Sequence, residues 1–205
     1  MTEEEARAWL AARFAPERIA KLDRYVTLLL SENLKQNLIS KSSEAHIWSR
    51  HIADSAQLLD FAPGAASWLD VGSGAGLPGI VLACLSDVPV TLVEPRARRA
   101  TFLRACIDQL GLARTALHPV MINRLPIDQY QAVTARAYAP LERIFETVAH
   151  LTGAETVWVL PKGQSAESEL AIARRTWQGV FHVEQSATDD QALIVVARKV
   201  RRTKR

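Results

Sequence analysis

The chain has 205 residues, of which 48% are hydrophobic and 23% charged, with a formal net charge of +3. This composition is typical of a folded globular chain and argues against extensive disorder. Its longest apolar stretch, residues 79–85, is far shorter than the roughly 20 residues that cross a bilayer, and the acidic start MTEEE is unlike a signal peptide. We therefore expect a cytoplasmic protein with no membrane segment.

The first part of the chain, residues 1–62, is predicted to be a helical extension packed on the core. Thr2 is expected to cap a first helix whose opening turn is acidic. Pro16 suits the first turn of a longer helix, in which apolar residues recur at helical spacing: Ile19, Leu22, Val26, Leu29 and Leu30. Ser42 and Ser43 are expected to cap a third helix, which carries Ile47, Trp48, Ile52, Leu58 and Leu59.

Residues 63–205 alternate between short apolar runs and helical segments, which predicts an α/β fold with a mostly parallel, Rossmann-like sheet and helices on both faces. The apolar runs are SWLDV, VPVTLVE, TALHPVMI, QAVTARA and TVWVLPKG, and helices are predicted over 97–110, 140–151 and 165–177. The last two runs, GVFHVEQ and ALIVVARKV, flank ATDDQ and predict a C-terminal antiparallel hairpin at the end of the sheet. We expect both parts to form a single globular unit.

A glycine-rich stretch, DVGSGAGLPG at 70–79, follows the first predicted strand, where such sheets bind their ligands. Read as a dinucleotide fingerprint, GxGxxG, it fails from Gly72, because Leu77 stands in the place of the third glycine. From Gly74 it matches, but that register starts beyond the strand end and contains Pro78. Read from Asp70 as D-x-G-x-G-x-G, the stretch resembles the first motif of the class I S-adenosylmethionine-dependent methyltransferases, whose ligand carries an ammonium group that a carboxylate can hold.

Two further features bear on the ligand and on the partner. Glu94 closes the second predicted strand, where a carboxylate can accept both hydroxyls of a ribose. Enzymes that bind NAD use the same arrangement, so Glu94 supports a nucleoside ligand without deciding which one. The segments PRARRATFLR (95–104) and ARKVRRTKR (197–205) are strongly basic, which favours a polyanionic partner such as nucleic acid.

Several motifs together resemble the glucose-inhibited division protein B family, bacterial methyltransferases that modify N7 of one guanine in 16S ribosomal RNA, conventionally numbered 527. They occur in the family's order over about residues 20–165: NLIS, SRHIADS, DVGSGAGLPGI, LVEPRARRATFL, TARAYAPL and LPKG. The resemblance implies a class I methyltransferase fold with S-adenosyl-L-methionine as cofactor and S-adenosyl-L-homocysteine as product. It also implies 16S ribosomal RNA, the small subunit or its assembly intermediate as partner.

The resemblance also implies roles for particular residues. Asp70 is expected at the cofactor, and the other residues implied there are Gly72, Gly74, Gly76, Leu77, Glu94, Arg124, Leu125 and Arg136. Arg124 and Leu125 correspond to the adenine contact, although this sequence lacks the acidic residue usual there. Ala135 replaces a common serine before Arg136. The implied RNA contacts are His51, Arg98, Arg99 and Lys162, and the basic C-terminal segment adds Arg201 and Arg202 as RNA-binding candidates.

The remaining histidines and both cysteines carry no site motif. His51 and Asp54 lie three residues apart, so on a helix they point together towards the carboxyl edge of the sheet. No histidine pair has a metal-ligand spacing, and Cys84 and Cys106 lie on apolar stretches with no CxxC spacing, so we expect no metal site.

Methylation of guanine N7 requires no general base, because N7 carries a lone pair and no proton at neutral pH. The predicted enzyme therefore works by positioning, with Arg136 and Lys162 as candidate positioning residues. We expect a monomer. A small-molecule methyltransferase, an NAD-dependent oxidoreductase using the Gly74 register and a non-catalytic ribosome-assembly factor are the alternatives.

Overall fold

The helical extension begins as the sequence predicts. A computed structural model describes residues 1–203, and in that range no helix has the length and apolar character of a membrane span. Helix α1 (Glu3–Ala11) starts with a capping box, in which the hydroxyl of Thr2 accepts from the amide of Glu5 at 3.2 Å and the Glu5 carboxylate accepts from the amide of Thr2 at 2.7 Å. Helix α2 (Pro16–Asn33) has Pro16 at its first position.

The third helix differs from the prediction, since Ser42 and Ser43 lie inside its first turn and Ser40 precedes it. It is also broken into four short segments: α3 (Lys41–Glu44), a π-helical turn (Trp48–Ala53), α4 (Asp54–Ala56) and a 3-10 turn (Gln57–Phe61). The π-helical turn is capped from a distance. The carboxylate of Glu3 accepts from the amides of Trp48 at 3.0 Å and Ser49 at 2.8 Å. A partner 45 residues away in sequence sets this boundary, so local caps did not reveal it.

Seven strands form one sheet in the order β3-β2-β1-β4-β5-β7-β6. The strands are β1 (Trp68–Val71), β2 (Val90–Val93), β3 (Thr115–His118), β4 (Tyr130–Thr134), β5 (Thr152–Pro161), β6 (Trp177–Gln185) and β7 (Leu193–Arg202). The first five run parallel, and β7 lies antiparallel between β5 and β6. The predicted fold class and the C-terminal hairpin are both confirmed.

The helices of the second part follow the prediction except at one end. They are α5 (Gly79–Leu85), α6 (Ala97–Leu110), α7 (Leu141–Val148) and α8 (Ala166–Ala173). The helix expected over 165–177 stops at Ala173, and Trp177 opens β6 instead. The ring of Trp177 lies 5.8 Å from that of Phe145 on α7. This long-range packing outweighs local helical preference at that point.

Two apolar cores cover the two faces of the sheet. One core joins the sheet to the extension, α5 and α6, and includes Tyr25 and Trp68. The other joins the sheet to α7 and α8, where Phe145 meets Trp158 edge to face at 5.1 Å. The extension thus shares a core with one face of the sheet, and its broken third helix reaches the carboxyl ends of the strands.

Candidate functional site

A cleft of about 1380 Å³ opens at the carboxyl ends of the parallel strands. The loop after β1 forms its floor, and Arg136 and Ala137, which follow β4, line it beside that loop. The broken third helix of the extension forms one wall, and the loop between β6 and β7 forms another. This is the position at which open α/β sheets bind their ligands.

The glycine loop after β1 needs its glycines for two different reasons. Gly72, Gly74 and Gly76 have φ values of +71°, +56° and +90°, which side chains rarely adopt. A Cβ at Gly72 would lie 2.6 Å from Tyr138, and one at Gly76 would lie 2.5 Å from Ile80. A Cβ at Gly74 would meet nothing closer than 3.6 Å. Packing therefore requires Gly72 and Gly76, whereas a Cβ at Gly74 would make only ordinary contacts and would line the cleft.

Asp70, expected at the cofactor, lies fully buried beneath the glycine loop. Its Oδ2 accepts from the amide of Gly79 at 3.1 Å, at the start of α5. Among the described residues, neither its Oδ1 nor the hydroxyl of Thr134, its register partner on β4, has a hydrogen-bond partner. Burial raises the pKa of Asp70 to about 7. In this structure, Asp70 fixes the path of the loop.

Glu94, expected at the ribose, ends β2 beside the same loop and is also buried. Its Oε2 accepts from the amide of Gly74 at 2.9 Å, and its Oε1 accepts from the amide of Arg96 at 2.8 Å. Each carboxylate oxygen can accept a second hydrogen bond. Glu94 therefore holds the loop in place and retains capacity for further donors.

The two residues expected at the adenine lie away from the cleft within residues 1–203. Arg124 is exposed at the end of a 3-10 turn (Ile122–Arg124), while Leu125 is buried in the second core. The amide of Leu125 donates to the carbonyl of Ile122 at 3.2 Å.

Arg136 lines the cleft and is held by two residues of the RHIADS motif. Its Nη1 donates to Oδ2 of Asp54 at 3.3 Å, and its Nη2 donates to Nδ1 of His51. The side chains of His51 and Asp54 thus point together at the carboxyl edge, as their spacing predicts. Burial raises the pKa of Asp54, and the Arg136 charge opposes that rise.

His51 was expected to contact RNA but is only 7% exposed. Its Nε2 lies 2.9 Å from the hydroxyl of Ser43, so both ring nitrogens have protein partners. Burial, together with the Arg136 and Arg50 charges, lowers the pKa of His51 to about 3. The imidazole is therefore neutral near pH 7 and is not a free cation for phosphate.

Lys162, a candidate both for positioning and for RNA contact, is also engaged within the protein. Its Nζ donates to the carbonyl of Ala139 and forms an ion pair of 2.9 Å with Glu169 on α8. The Lys162 side chain is 8% exposed, and its neighbours Pro161 and Gly163 line the cleft instead. Its direct effect in this structure is to connect the segment after β5 to the segment after β4.

The basic residues expected to bind RNA divide between two edges of the sheet. Arg99 lines the cleft, and Arg98 donates to the carbonyl of Lys35 at 3.0 Å on the adjacent surface. Arg201 and Arg202 end β7, which runs antiparallel to β5, so they lie at the opposite edge. The four residues therefore do not form one continuous basic surface. Lys204 and Arg205, at the end of the second basic segment, lie outside the described residues.

Two parts of the cleft wall were not predicted from the sequence. The loop of residues 186–192 lines the cleft, and the amino group of Met1 donates to the carbonyl of Thr188 at 3.2 Å. The position of this loop follows from the strand order. Since β6 runs in the same direction as the parallel strands, its following turn must lie at their carboxyl ends. No comparable signal in the sequence points to Met1.

The model of the family described as GidB, rRNA small subunit methyltransferase G, matches residues 18–193. The chain belongs to this family. A ribosomal RNA small subunit methyltransferase G from Sphingopyxis alaskensis is 47% identical over 198 residues, which are 95% of this chain and 85% of that protein. Another from Erythrobacter litoralis is 44% identical over 96% of each chain. The resemblance found in the motifs is confirmed, and with it the expectation of a methyltransferase.

Solved structures support the fold. A SAM-dependent methyltransferase from Aquifex aeolicus superposes with a TM-score of 0.62 at 13% identity, covering 78% of this chain and 95% of that one. An O-methyltransferase from Bacillus cereus, in complex with SAH, gives a TM-score of 0.59 at 15% identity, covering 88% and 91%. At such identities the likeness shows the fold alone, which is the class I methyltransferase fold. Within this family, the oxidoreductase reading of the Gly74 register is wrong.

Proposed function

We propose that this protein transfers the methyl group of S-adenosyl-L-methionine to N7 of one guanine in 16S ribosomal RNA, at the position conventionally numbered 527. Family membership supports the ribosomal RNA substrate. The observation that carries the proposal is the position of Gly74, which lines the same cleft as the Arg136 guanidinium although packing does not require a glycine there. A nucleoside-containing cofactor and an incoming base both fit in a cleft of about 1380 Å³.

The residues around the glycine loop fit the proposed cofactor. Gly74 leaves space for close approach, Leu77 lines the cleft, and the buried Glu94 retains acceptor capacity for ribose hydroxyls. Arg136 supplies a cation for the carboxylate of the methionine half. When bound, the cofactor supplies an electrophilic methyl group on a sulfonium. Gly72, Gly76 and Asp70 act here by shaping the loop. The adenine contact predicted at Arg124 and Leu125 finds no support in the residues that line the cleft.

The side chains in the cleft suit a reaction that requires orientation and no base. Asp54 and His51 both accept from Arg136, so neither is free to take a proton from a substrate. The protein instead holds N7 in line with the methyl carbon, at roughly 3 to 3.5 Å. Arg136 must leave N7 free, because an arginine bound to N7 would block the lone pair that attacks. Lys162 acts indirectly, by holding the segment after β4.

We further propose how the protein meets its substrate. Arg99, with Arg96 and Arg50 on the same cleft, would contact phosphates near the target guanine, and Arg98 would extend that surface. Arg201 and Arg202 would reach a distant part of the RNA. The substrate would be the small subunit or its assembly intermediate, and the protein would act as a cytoplasmic monomer. Residues 1–62 would form the extension of a single globular unit with the cofactor-binding domain at 63–205.

Labelled methyl transfer tests this function. Purified protein, tritiated cofactor and small subunits from a strain that lacks this enzyme are expected to give labelled 16S RNA, with the label mapped to one guanine. A Gly72→Asp variant is expected to give none, because the new side chain would collide with Tyr138. Transfer should weaken as salt rises, since phosphate contacts release counterions. Absence of label in subunits, precursor particles and naked RNA would exclude the proposed activity, and salt-insensitive methylation of a small molecule would replace it.

A further inference from the structure

The guanidinium of Arg136 is held from two sides by residues of the helical extension. Arg136 follows β4, whereas His51 and Asp54 belong to the RHIADS segment, more than 80 residues earlier in the chain. This segment is partly π-helical, over Trp48–Ala53. Such turns are rare and are frequently found at functional sites. Arg136, one of the arginines that line the cleft, is therefore oriented by the extension.

The contact with Arg136 selects one tautomer of His51. A guanidinium can only donate, so Nδ1 of His51 must accept, and the ring proton must lie on Nε2. This Nε2–H then donates to the hydroxyl of Ser43 at 2.9 Å, which in turn donates to the carbonyl of Ser40 at 2.8 Å. With the ring proton on Nε2, every donor from Arg136 to Ser43 has an acceptor, and the other neutral tautomer would break the bond to Arg136. It fixes the imidazole, and the imidazole fixes the guanidinium.

Asp54 connects the same guanidinium to the loop between β6 and β7. Its Oδ1 accepts from the Thr188 hydroxyl at 3.3 Å and from the side-chain Nε2 of Gln57 at 3.0 Å. The side-chain Oε1 of Gln57 accepts from the backbone amide of Ala187 at 2.8 Å. Three segments that are distant in sequence thus meet at Arg136. A shift of the extension or of this loop must move the guanidinium within the cleft.

We propose that His51 is a positioning residue for methyl transfer, and that it acts by orienting Arg136 from within the protein rather than by touching RNA. The proposal rests on the proposed function for its kinetic consequences. The proposed role makes the extension part of the reaction site. Without the acceptor at Nδ1 of His51, one side of the Arg136 guanidinium would no longer be held. A misplacement of about 1 Å in such a site costs on the order of 100-fold in rate.

Two isosteric variants separate this role from ordinary packing. Asparagine places its carbonyl oxygen near the position of Nδ1, so His51→Asn keeps an acceptor for Arg136. Glutamine places its amide near the position of Nε2, so His51→Gln keeps the link to Ser43 and loses the acceptor. We expect kcat to fall about 10- to 100-fold in His51→Gln and less than about threefold in His51→Asn. A merely structural role, or an RNA contact, would give similar losses in both variants. The exposed His150→Asn serves as control.

Coupling to Arg136 provides the second test. In an Arg136→Met background, His51→Gln is expected to cost less than about twofold, because the group it positions is already gone. If His51→Gln lowers kcat by the same factor in the Arg136→Met background as in the wild-type protein, the proposal is overturned.

Nitrogen NMR of the wild-type imidazole gives a readout that does not need activity. His51 faces Arg136, Arg50 and Glu3, and we expect a neutral Nε2–H tautomer from pH 5 to 8. A ring that carries its proton on Nδ1, or that becomes charged near pH 6.5, would overturn the proposal. If the wild-type protein transfers no methyl group to ribosomal RNA, the proposed function fails. The NMR result and the effect of the two variants on S-adenosylhomocysteine affinity then still decide the role of His51.

Discussion

Replacing Gly74 by alanine separates the ligand role of the glycine loop from its packing role. Gly74 and Gly111 both have left-handed backbones, with φ of +56° and +61°. A Cβ would meet no clash at either position: its nearest atoms at Gly74 would be the Gly72 carbonyl oxygen at 3.6 Å and Nη1 of Arg99 at 3.7 Å, and nothing lies within 4 Å at Gly111. Gly74 lines the cleft, whereas Gly111 ends α6 away from it. Gly111→Ala is therefore a matched control for the backbone cost alone.

The expected magnitudes follow from this geometry. A left-handed conformation costs a residue with a Cβ roughly 1 to 2 kcal/mol, so both variants should lose about that much free energy of unfolding. The new methyl group at position 74 also occupies cleft space next to the Glu94 carboxylate, which bonds the amide of Gly74 at 2.9 Å. We expect this to weaken ligand binding at least tenfold, which corresponds to about 1.4 kcal/mol.

Urea denaturation and calorimetric titration with S-adenosylhomocysteine measure the two quantities. We expect Gly74→Ala and Gly111→Ala to lie within about 0.5 kcal/mol of each other in stability, and only Gly74→Ala to bind the ligand at least tenfold more weakly. Equal affinities in the two variants would refute the assignment of Gly74 to the cofactor cradle. A much larger stability loss at position 74 would show that packing, and not the ligand, requires this glycine.

Three further predictions follow from the buried charges and the basic surface. Because burial raises the pKa of Asp70 to about 7 from an ordinary 3.8, the folded protein retains a proton that the unfolded chain releases. The free energy of unfolding should therefore decline between about pH 4 and 7, by at most about 4 kcal/mol, and Asp70→Asn should remove this decline in urea titrations. Glu3→Gln should cost about 1 to 2 kcal/mol, because its carboxylate caps the π-helical turn, whereas the exposed Glu4→Gln should cost less than about 0.5 kcal/mol in the same assay. With a short RNA around the target guanine, Arg99→Gln should reduce the salt slope of binding by about 1 and Arg201→Gln should leave it unchanged, so equal slopes would contradict the division of the basic surface.

Elements set by local pattern were predictable, and elements set by distant contacts were not. The bounds of α6, 97–110, match the prediction, because the periodic apolar face ends at Gly111, which adopts the left-handed cap. The third helix instead takes its cap from Glu3, and the end of α8 depends on the packing of Trp177 against Phe145. Neither contact has a signature in the neighbouring residues.

The same division applies to the candidate site. The glycine loop, Glu94 and the shared direction of His51 and Asp54 follow from strand ends and helical spacing. The engagement of Lys162 with Glu169 and the burial of both His51 nitrogens depend on partners from other segments, which sequence spacing does not show. The position of Arg201 required the strand order, because only the antiparallel placement of β7 sends it to the far edge.

The acidic residues at the ends of β1 and β2 explain why the glycine loop is accompanied by two carboxylates. Asp70 and Glu94 end neighbouring strands, and each accepts an amide from the glycine loop, at Gly79 and at Gly74. Two buried carboxylates so close together repel each other, and the Glu94 charge contributes to the raised pKa of Asp70. That cost persists because both hydrogen bonds fix the loop: Asp70 holds the start of α5 at Gly79, and Glu94 holds the left-handed backbone at Gly74, which lines the cleft. The carboxylates thus preorganise the loop before any ligand binds, and a cofactor entering the cleft need not pay to order it.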